Sequence, residues 1–542
     1  MLTKKLLLIV ASFFVVNAFA QKDISKVWVA DLGNGKYKNP IIYADYSDPD
    51  LCRVGDDYYM TASSFNSIPG LPILHSKDLV NWTIIGYAIS KMPDYASFKP
   101  NTVNHGGSVW APAIRYHKGE FYIYYGDPDL GIFMTKTKDP AGEWEPLVLV
   151  KEGKGLIDSC PLFDDDGQVY LAHGFAGSRA GIKSLLAVTR LTPDGKKAIG
   201  ESKIIYDGHE IDPTVEGPKF YKRNGYYYIF APAGGVATGW QLALRAKDPF
   251  GPYERKIVMA QGKTEINGPH QGGWVDTTTG EDWFIHFQDV GALGRIAHLQ
   301  PMEWKNDWPV IGVDKDGDGC GDPVLTYKKP NVGKTYPIAT PVESDEFNTN
   351  ELGLQWQWHG NNEPWWSFTN QDKGVLSLYS VPQPDNYKNL WDIPNLLLQK
   401  ISAPNFTATM KLTFIPDARF QGERSGLIVM GRDYSLISFT NKGDGYTLSQ
   451  IECKNADKGK EEIVHASADV KDATIYLRVT IKDGSTSTFS YSIDGKKFTP
   501  LGKPFTVREG QWIGAKIGTF CSRPVKGNDG GRVEIDWFRV DK

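Results

Sequence analysis

Five segments in the first half of the chain carry side chains suited to acid–base chemistry at matching places in a repeat. Each repeat is a Gly- or Asp-containing turn followed by an aromatic-rich β run, and the final aromatics are Tyr59, Tyr122, Tyr170, Tyr228 and Phe284. Counting back 11 to 14 residues from these aromatics reaches Asp48, Trp110, Asp158, Glu216 and His270. Three of the five are acids in segments that otherwise look buried, and a buried acid is costly unless it is paired or functional. The pattern therefore predicts either a catalytic carboxylate centre or a structural metal or polar plug.

Two carboxylic acids that face each other across a small pit are the groups that glycoside hydrolysis needs. One acid protonates the leaving oxygen, while the other, ionised, activates water or attacks the anomeric carbon. A third carboxylate nearby can raise the pKa of the proton donor by like-charge repulsion. The chain contains no Gly-x-Ser-x-Gly, His-Glu-x-x-His or complete phosphate-binding P-loop motif, so no other catalytic pattern competes.

Five repeated β units must bring these acids together. Their final aromatics are separated by 63, 48, 58 and 56 residues, and no helical periodicity interrupts them. Such units predict a five-bladed propeller, in which the innermost strands surround one axis. Equivalent positions on successive blades then converge at one end of the channel. We therefore expect an all-β fold in which residues 21–330 form the propeller.

The second half of the chain predicts a separate β domain. Residues 331–343 are expected to form a linker. From 344 to 542, strongly alternating strands such as Thr474-Ile-Tyr-Leu-Arg-Val-Thr480 are separated by Gly- and Asp-rich turns. This pattern is typical of a β-sandwich. The domain either binds sugar or supports the rim of the catalytic pocket, and composition does not separate these two roles.

Composition and charge restrict the possible partners. The 542 residues include 60 Lys and Arg against 64 Asp and Glu, and the net charge of −4 argues against nucleic acid as the main partner. Aromatic residues make up 12%, which suits β packing with some rings left to stack on sugars. Five cysteines, an odd number, exclude a disulfide framework as the main source of stability, and most are expected to be free and buried.

The first twenty residues read as a secretory signal peptide. Lys4 and Lys5 precede the apolar run Leu6 to Val16, and Ala18-Phe-Ala20 is a small-x-small cleavage site. The run is too short to span a membrane, and nothing later in the chain reaches 18 apolar residues. We therefore expect a soluble protein that is secreted or periplasmic, without membrane insertion.

The motifs around the acids resemble those of glycoside hydrolase family 43, and more narrowly its β-xylosidases and α-L-arabinofuranosidases. The matching stretches include Tyr46-Ser-Asp-Pro49, Trp110-Ala-Pro-Ala-Ile-Arg115, Gly155-Leu-Ile-Asp158, Glu216-Gly-Pro218 and Gly268-Pro-His270. The resemblance covers about residues 39–330. The C-terminal part is similar to the concanavalin-like jelly roll that is appended to β-xylosidases of the family.

Carried over by residue, the resemblance implies that Asp48 is the general base, Asp158 the residue that tunes the pKa of the acid, and Glu216 the general acid. Asp45 is a near competitor for the base, although Pro49 and the 11-residue offset to the repeat aromatic favour Asp48. The usual Asp-Pro-Ser of the family reads Asp48-Pro-Asp50 here, which we expect to alter local hydrogen bonds rather than the reaction.

The resemblance also implies a set of substrate-binding residues. His270 resembles an axial histidine under the pocket that contacts a central ion or water, and a satisfied core histidine is the alternative. Arg295 resembles an arginine that binds the hydroxyls of the terminal sugar. Phe65 and Trp110 resemble the apolar walls of that sugar's pocket, with ordinary blade packing as the alternative.

Two further acid groups raise the question of calcium. By resemblance, Glu346 and Asp536 are ligands of a structural calcium in the second domain. Asp314-Lys-Asp316-Gly-Asp318-Gly319 fits the first half of an EF-hand loop, but its twelfth position is Leu325, where a bidentate Glu is needed. Asp322 could serve in a shortened site, whereas a tight polar turn is the favoured interpretation. No organic cofactor is expected.

The sequence therefore predicts a secreted, inverting exo-glycosidase that releases terminal β-D-xylose or α-L-arabinofuranose from plant cell-wall polysaccharides or oligosaccharides. The two pentoses present similar hydroxyl geometry, so the motifs do not choose between them. An endo-arabinanase of the same fold is the alternative enzyme. A catalytically inactive carbohydrate-binding protein is the alternative from another class, and retention of all three acids argues against it.

Overall fold

The computed structural model describes residues 24–92 and 102–542 and contains a five-bladed β-propeller followed by a β-sandwich. The predicted fold class is confirmed, while the signal peptide predicted at residues 1–20 lies outside the described residues. In the part of the chain that is described, no helix is both long and apolar enough to cross a membrane.

Four blades are four-stranded antiparallel sheets built from consecutive strands. The first two blades contain Asp50–Val54, Asp57–Thr61, Gly70–Ser76 and Trp82–Ile89, then Trp110–His117, Glu120–Asp127, Gly131–Thr137 and Val148–Glu152. The third and fourth contain Leu156–Phe163, Val169–Phe175, Leu185–Leu191 and Ala198–Asp207, then Lys219–Arg223, Tyr226–Ala233, Trp240–Ala246 and Glu254–Ala260. The first strand of each blade is innermost, as the contacts between successive first strands show.

The fifth blade closes the ring with a strand from the start of the chain. Its strands are His270–Asp276, Asp282–Asp289 and Arg295–Lys305, followed in the sheet by Ile42–Asp45, and Trp308–Ile311 also pairs with Arg295–Lys305. Outside the blades, Lys36–Lys38 pairs with Thr326–Lys328. Joining the two ends of the propeller in one sheet leaves no open gap between the last blade and the first.

The β-sandwich consists of two antiparallel-rich sheets around one apolar core. The first sheet contains, in spatial order, Gln357–Trp358, Leu396–Lys400, Lys516–Arg523, Arg424–Met430, Tyr434–Asn441, Tyr446–Cys453 and Ile463–Val470, and Val381–Pro382 pairs in parallel with Lys516–Arg523. The second contains Ser367–Asn370, Val375–Tyr379, Arg532–Asp541, Phe406–Ile415, Thr474–Lys482, Thr486–Ser492 and Thr499–Thr506. Strict alternation buries Ile475, Leu477, Val479 and Ile481 on one face, as the period of a strand requires.

Helical turns are short and occur in connections. They are the α-helix Gly177–Ala180 and the 3-10 turns Gly291–Leu293, Pro364–Trp366, Leu390–Asp392 and Ala456–Lys458. The predicted linker, 331–343, packs against the start of the described chain: Ser25 Oγ donates to Glu343 at 2.9 Å, and Ser25 N donates to Thr340 Oγ1 at 2.7 Å. All five cysteines are free, and Cys160, Cys453 and Cys521 are buried.

Direct contacts join the sandwich to the propeller on the side of the first blade. Ile68 and Trp358 form a β-bridge, and Asn66 Nδ2 donates to His359 O at 2.8 Å. Lys516 Nζ, on a central sandwich strand, donates to Ser67 Oγ. These contacts hold the sandwich beside the propeller loops that carry candidate site residues.

Candidate active site

A turn with positive φ at the entry of every innermost strand aims the candidate side chains at the propeller axis. The residues at this place are Asp48 at +54°, Ala111 at +36°, Asp158 at +60°, Gly217 at +60° and Gln271 at +32°. In three blades the pairing register also shifts here, between Trp110 and Ala113, Ile157 and Cys160, and His270 and Gly272. Such irregularities re-aim side chains and are common next to active sites. The propeller therefore presents polar groups from different blades in one pit.

Asp48 is held in place by three donors from two blades. Its Oδ2 accepts hydrogen bonds from Ser47 Oγ at 2.7 Å and Ser63 Oγ at 2.6 Å, and Arg295 Nη1 lies 3.3 Å from Oδ1. The residue is only 3% exposed. Nothing in the spacing of Ser47 and Ser63 indicates these roles, although both residues lie in stretches that match the family's motifs. The two serine hydroxyls orient the Asp48 carboxylate, and the Arg295 guanidinium lies next to it.

Asp158 is the most buried acid of the group and the one with the largest pKa shift. Its Oδ2 accepts hydrogen bonds from Gly217 N at 2.8 Å and Gln271 Nε2 at 3.4 Å. Burial, together with the negative charges of Glu216 and Asp48, raises the pKa of Asp158 to about 8. Since neighbouring carboxylates resist being ionised together, this site retains a proton near neutral pH.

Glu216 is the acid that solvent and substrate can reach. Its side chain is 27% exposed, and Oε1 lies 2.9 Å from His270 Nε2. His270 is 1% exposed, and its Nδ1 has no hydrogen-bond partner among the described residues. The structure therefore places His270 directly behind Glu216, where it fixes the orientation of one carboxylate oxygen and leaves the other free.

Aromatic side chains from both domains pack together next to the segments that hold Asp48. The rings of Phe65 and Trp110 lie 6.2 Å apart at 64°, and Trp110 lies 6.1 Å from Trp512 at 66°. Trp512 belongs to the sandwich and is 47% exposed. A Cβ on Gly106 would lie 2.1 Å from Gln511, so only glycine permits the loop before Trp110 to pack this closely against the sandwich. No signal in the sequence identified Trp512, because it lies in a different domain from the repeat.

Asp45, the competing candidate for the base, is engaged elsewhere. Its Oδ1 accepts a hydrogen bond from Arg295 N at 2.9 Å, and its Oδ2 accepts one from Gly514 N at 2.9 Å. One carboxylate thus ties the backbone of a substrate-binding candidate to the sandwich loop that carries Trp512. Both carboxylate oxygens of Asp45 accept hydrogen bonds from backbone amides. Asp48 is therefore the acid of this segment that lies near Asp158 and Glu216.

A buried polar cluster fills the channel below the acids. Arg115 Nη1 pairs with Asp50 Oδ2 at 2.6 Å, and Arg115 Nη2 lies 2.9 Å from Cys160 Sγ. The guanidinium also lies 4.9 Å from the ring centre of Tyr221, whose hydroxyl accepts a hydrogen bond from Trp274 N. All five blades contribute to this cluster. The chain therefore has both features that the repeat pattern left open, a carboxylate pit and a polar plug beneath it.

The two sandwich acids expected to bind calcium each face a basic side chain. Glu346 pairs with Arg539 Nε at 2.6 Å, and Asp536 pairs with Lys411 Nζ at 2.7 Å. His270 offers a nitrogen, whereas calcium prefers six to eight oxygen ligands. Glu346 and Asp536 are each paired with a basic side chain in this structure, and calcium binding by these residues stays a prediction.

Within the described residues, the group of three acids whose carboxylate oxygens are close enough to share one metal ion is Asp314, Asp316 and Asp318, with ligand oxygens within 4.8 Å of one another. Asp314 accepts hydrogen bonds from Gly317 N at 2.7 Å and Gly319 N at 3.2 Å, as in a polar turn. Asp322 pairs with Lys315 at 3.0 Å.

Three carboxylic acids in one pit of a five-bladed propeller, with aromatic walls and a guanidinium beside one acid, define the class of the protein. It is a glycosidase, because this set can supply a proton, accept a proton and bind a sugar ring.

The chain belongs to glycosyl hydrolases family 43, whose family model matches residues 37–309. A second model, the beta xylosidase C-terminal concanavalin A-like domain, matches residues 344–541. The protein therefore acts on carbohydrate as a glycosidase.

Relatives of similar length carry both activities in their names. A protein of Xylanibacter ruminicola named for beta-xylosidase activity is 39% identical over 498 residues, which are 91% of this chain and 88% of that protein. A non-reducing end alpha-L-arabinofuranosidase of Bacteroides ovatus is 29% identical over 551 residues, 94% of this chain and 96% of the relative. The solved GH43B protein of a Bacteroides ovatus xyloglucan PUL has a TM-score of 0.80 and 26% identity, and the match covers 93% of this chain and 99% of that chain.

Proposed function

We propose that the protein is an inverting exo-glycosidase that releases single β-D-xylose or α-L-arabinofuranose units from the non-reducing ends of xylan- or arabinan-type chains. The observation that carries the proposal is the pit in which Asp48, Asp158 and Glu216 meet from three different blades. The names of the relatives support both pentoses, and nothing in the pit chooses between them.

In the proposed reaction Glu216 donates a proton to the glycosidic oxygen as the bond from that oxygen to the anomeric carbon breaks. The bonding electrons leave with the oxygen. Asp48 accepts a proton from a water molecule, whose oxygen forms the new bond to the anomeric carbon from the opposite face. Accessibility supports this division of roles, because the Glu216 side chain is 27% exposed and that of Asp48 only 5%. A leaving sugar must depart toward solvent.

Asp158 and the surrounding groups prepare this step. Because Asp158 is buried beside the other two acids, its charge state sets the proton affinity of the group as a whole. Arg295 lies between Asp48 and the ring of Phe287, 4.9 Å from the ring centre, in a position to donate to a sugar hydroxyl. Phe65, Trp110 and Trp512 supply apolar surface for the ring of the sugar.

The exo mode is favoured over the endo-arabinanase alternative by the contribution of the sandwich. Trp512 stands against Trp110, and the loop around Gly514 packs on the fifth blade beside Asp45. This loop closes one side of the pit, whereas an endo enzyme needs a cleft that is open at both ends. A short pocket accepts one terminal unit.

Proton NMR of the first-formed product tests the proposal. With an aryl β-D-xyloside, inversion gives α-D-xylose first, and with an aryl α-L-arabinofuranoside it gives the β-anomer first. Retention of the substrate's configuration would contradict the inverting mechanism. Product sizes from linear arabinan and xylan test the exo mode: single pentoses at early times support it, and a ladder of oligosaccharides contradicts it.

Export to the periplasm or the medium is the remaining part of the proposal. It rests on the charged, apolar and small-residue regions of residues 1–20. N-terminal sequencing of the mature protein should begin at Gln21. A mature chain that still contains Leu6 to Val16 would contradict cleavage at this site.

A further inference from the structure

A groove on the β-sandwich lies outside the catalytic pit. Its volume is about 1040 Å³, and it is lined mainly by segments 379–386 and 523–531, with Trp365 and Pro394 beside them. The groove forms where the chain passes from the strand Val375–Tyr379, in one sheet, to Val381–Pro382, in the other. Small-molecule sites commonly enclose about 300–1,000 Å³, so this groove has room for several sugar units.

An exposed tryptophan stands in the groove on a rigid base. Trp365 is 46% exposed, while the next residue, Trp366, is 2% exposed. The two rings are perpendicular at 6.3 Å, and Trp366 packs against Trp358 at 5.5 Å in the sandwich core. The short turn Pro364–Trp366 therefore fixes one ring inside and presents the other to the solvent. A large aromatic ring left exposed in a groove is typical of a binding site rather than of packing.

Positively and negatively charged side chains line the groove beside Trp365. Arg523 is 5% exposed, its two Nη atoms donate to Ser380 O and Gly527 O, and its Nε has no partner among the described residues. Asp385 and Lys526 form an ion pair between the two walls, with 84% and 69% of their side chains exposed. Such groups can donate to and accept from hydroxyls.

The charge of the lining favours a neutral ligand. Its charged residues are Glu363, Asp385, Asp529, Arg523 and Lys526, which sum to three negative and two positive charges. An anionic ligand such as a phosphate or a nucleic acid needs a basic surplus, which is absent from this lining. An aromatic platform with mixed hydrogen-bonding groups and little net charge matches an uncharged polyhydroxyl chain.

Both sides of the groove adjoin segments that contact the other domain. Thr102 lies at its edge, and only four residues later Gly106 packs against Gln511 and Trp512 at the rim of the pit. On the other side, Asn361, two residues before Glu363, hydrogen-bonds to the propeller at Met92 N at 2.9 Å. A chain bound in the groove is thus held beside the face on which hydrolysis takes place.

We propose that this groove is a second carbohydrate-binding site, in which Trp365 stacks on a pentose polysaccharide while the pit processes chain ends. The identity of the polysaccharide rests on the proposed function, whereas the existence of the site rests on the groove itself. Its effect is to keep the enzyme on the polymer between cleavage events. Short substrates, which do not reach the groove, gain nothing from it.

Affinity electrophoresis in native gels with soluble arabinoxylan tests the site on the full chain, with Glu216→Gln in every variant to prevent hydrolysis. Adding Trp365→Ala should weaken the retardation about tenfold, a loss of about 1.4 kcal/mol in binding free energy. Asp385→Ala, a change at an 84% exposed side chain, should weaken it in the same direction. Tyr116→Ala is the matched control, since this aromatic is 41% exposed on the propeller and lies outside the groove lining.

Equal retardation of all variants overturns the second site and leaves the proposed function untouched. Equal retardation in gels with hydroxyethylcellulose overturns the preference for a pentose chain. In the background with Glu216 intact, Trp365→Ala should keep its kcat/KM on aryl pentosides and lose it on arabinoxylan. If the unaltered protein cleaves no pentoside at all, the proposed function fails, while the gels still decide whether the groove binds polysaccharide.

Discussion

The acids of the propeller and the acids of the sandwich have opposite surroundings, although the sequence nominated both. The side chains of Asp48 and Asp158 lie in a buried pit where each has other carboxylates as neighbours. The side chains of Glu346 and Asp536 are 47% and 30% exposed, and each faces a cation. An exposed ion pair contributes about 0–1 kcal/mol and no chemistry, whereas buried like charges alter proton affinity. The comparison indicates that crowding of acids, rather than their presence, marks the reaction centre.

The largest expected effect separates the roles of Glu216 and Asp48. Glu216→Gln should lose activity on natural oligosaccharides by about 10²–10⁴-fold, the usual contribution of general acid catalysis. It should lose far less on nitrophenyl glycosides, because a nitrophenolate leaves without a proton. Asp48→Asn removes activation of the water and should damage both substrate types to a similar degree. The measurement is the ratio of kcat/KM on the two substrates, and the reverse pattern would show that the roles are exchanged.

Asp158→Asn should change the pH dependence of both activity and stability. When it is ionised, Asp158 disfavours a second negative charge in the pit. Its removal therefore makes loss of the catalytic proton easier, and the alkaline limb of the kcat/KM profile should move to lower pH. An unmoved limb with lower activity would instead assign Asp158 to positioning substrate.

The stability effect has a definite sign. The pKa of folded Asp158 is raised to about 8, above the ordinary value of 3.8, so the folded state holds a proton there that the unfolded chain has lost. Its contribution to stability is therefore complete below pH 4 and lost as the pH rises through 8. Asn mimics the protonated acid, so the variant should gain Tm relative to the unaltered protein between pH 5 and pH 9. A pH-independent difference in Tm would contradict this.

Asp45→Asn tests whether the carboxylate that joins the two domains positions the pit. One of the two amides, Arg295 N or Gly514 N, would lose its acceptor, which costs about 1–3 kcal/mol for a buried group. We expect kcat/KM to fall about tenfold, mainly through KM, because Arg295 and Trp512 lose their fixed separation. Asp276→Asn is a suitable control, as this acid is also on the fifth blade but pairs with Arg53 at 2.7 Å. Losses as large as those of Asp48→Asn, on every substrate, would instead make Asp45 the base.

The smallest effect is expected in the sandwich. Glu346→Gln with Asp536→Asn should leave kcat/KM unchanged and lower the free energy of unfolding by about 1 kcal/mol or less, since both acids take part in partly exposed ion pairs. Tm with EDTA and with added calcium decides whether these residues bind the ion. A calcium-dependent rise in Tm that the double variant abolishes would show that Glu346 and Asp536 bind calcium. It would also contradict the contrast drawn between the acids of the two domains.

Much of the propeller could be predicted because its signal is local and repeated. A turn and an aromatic recur in each blade, and in three of the five blades an acid lies about a dozen residues before the aromatic, so one pattern locates the strands and the segments of all three acids. The distance from the site position to the repeat aromatic is not the same in every blade and varies from 11 to 14 residues. The positive-φ residues 48, 111, 158, 217 and 271 show the structural register, in which Asp48 and Asp158 are equivalent but Glu216 and His270 lie one position earlier.

The partners of the acids were harder to find, because hydroxyl and amide side chains carry no distinctive spacing. Ser63, for example, became recognisable only through its 2.6 Å hydrogen bond to Asp48. The residues that form the polar plug could not be identified for a similar reason. Arg115 and Cys160 lie 45 residues apart on different blades, and nothing in either strand indicates that they meet.

The sequence by itself determined the two β domains and the segments that bear the acids, because strand alternation and the blade repeat depend on residues that are close together in the chain. Only the tertiary structure decided which acids lie close enough to affect each other's pKa, and that Trp512 and Gly514 lie beside them. Asp45 and Gly514 are separated by 469 residues, yet a 2.9 Å hydrogen bond joins them. Electrostatic coupling depends on distance and burial in the folded state, and these are properties that the order of residues along the chain does not contain.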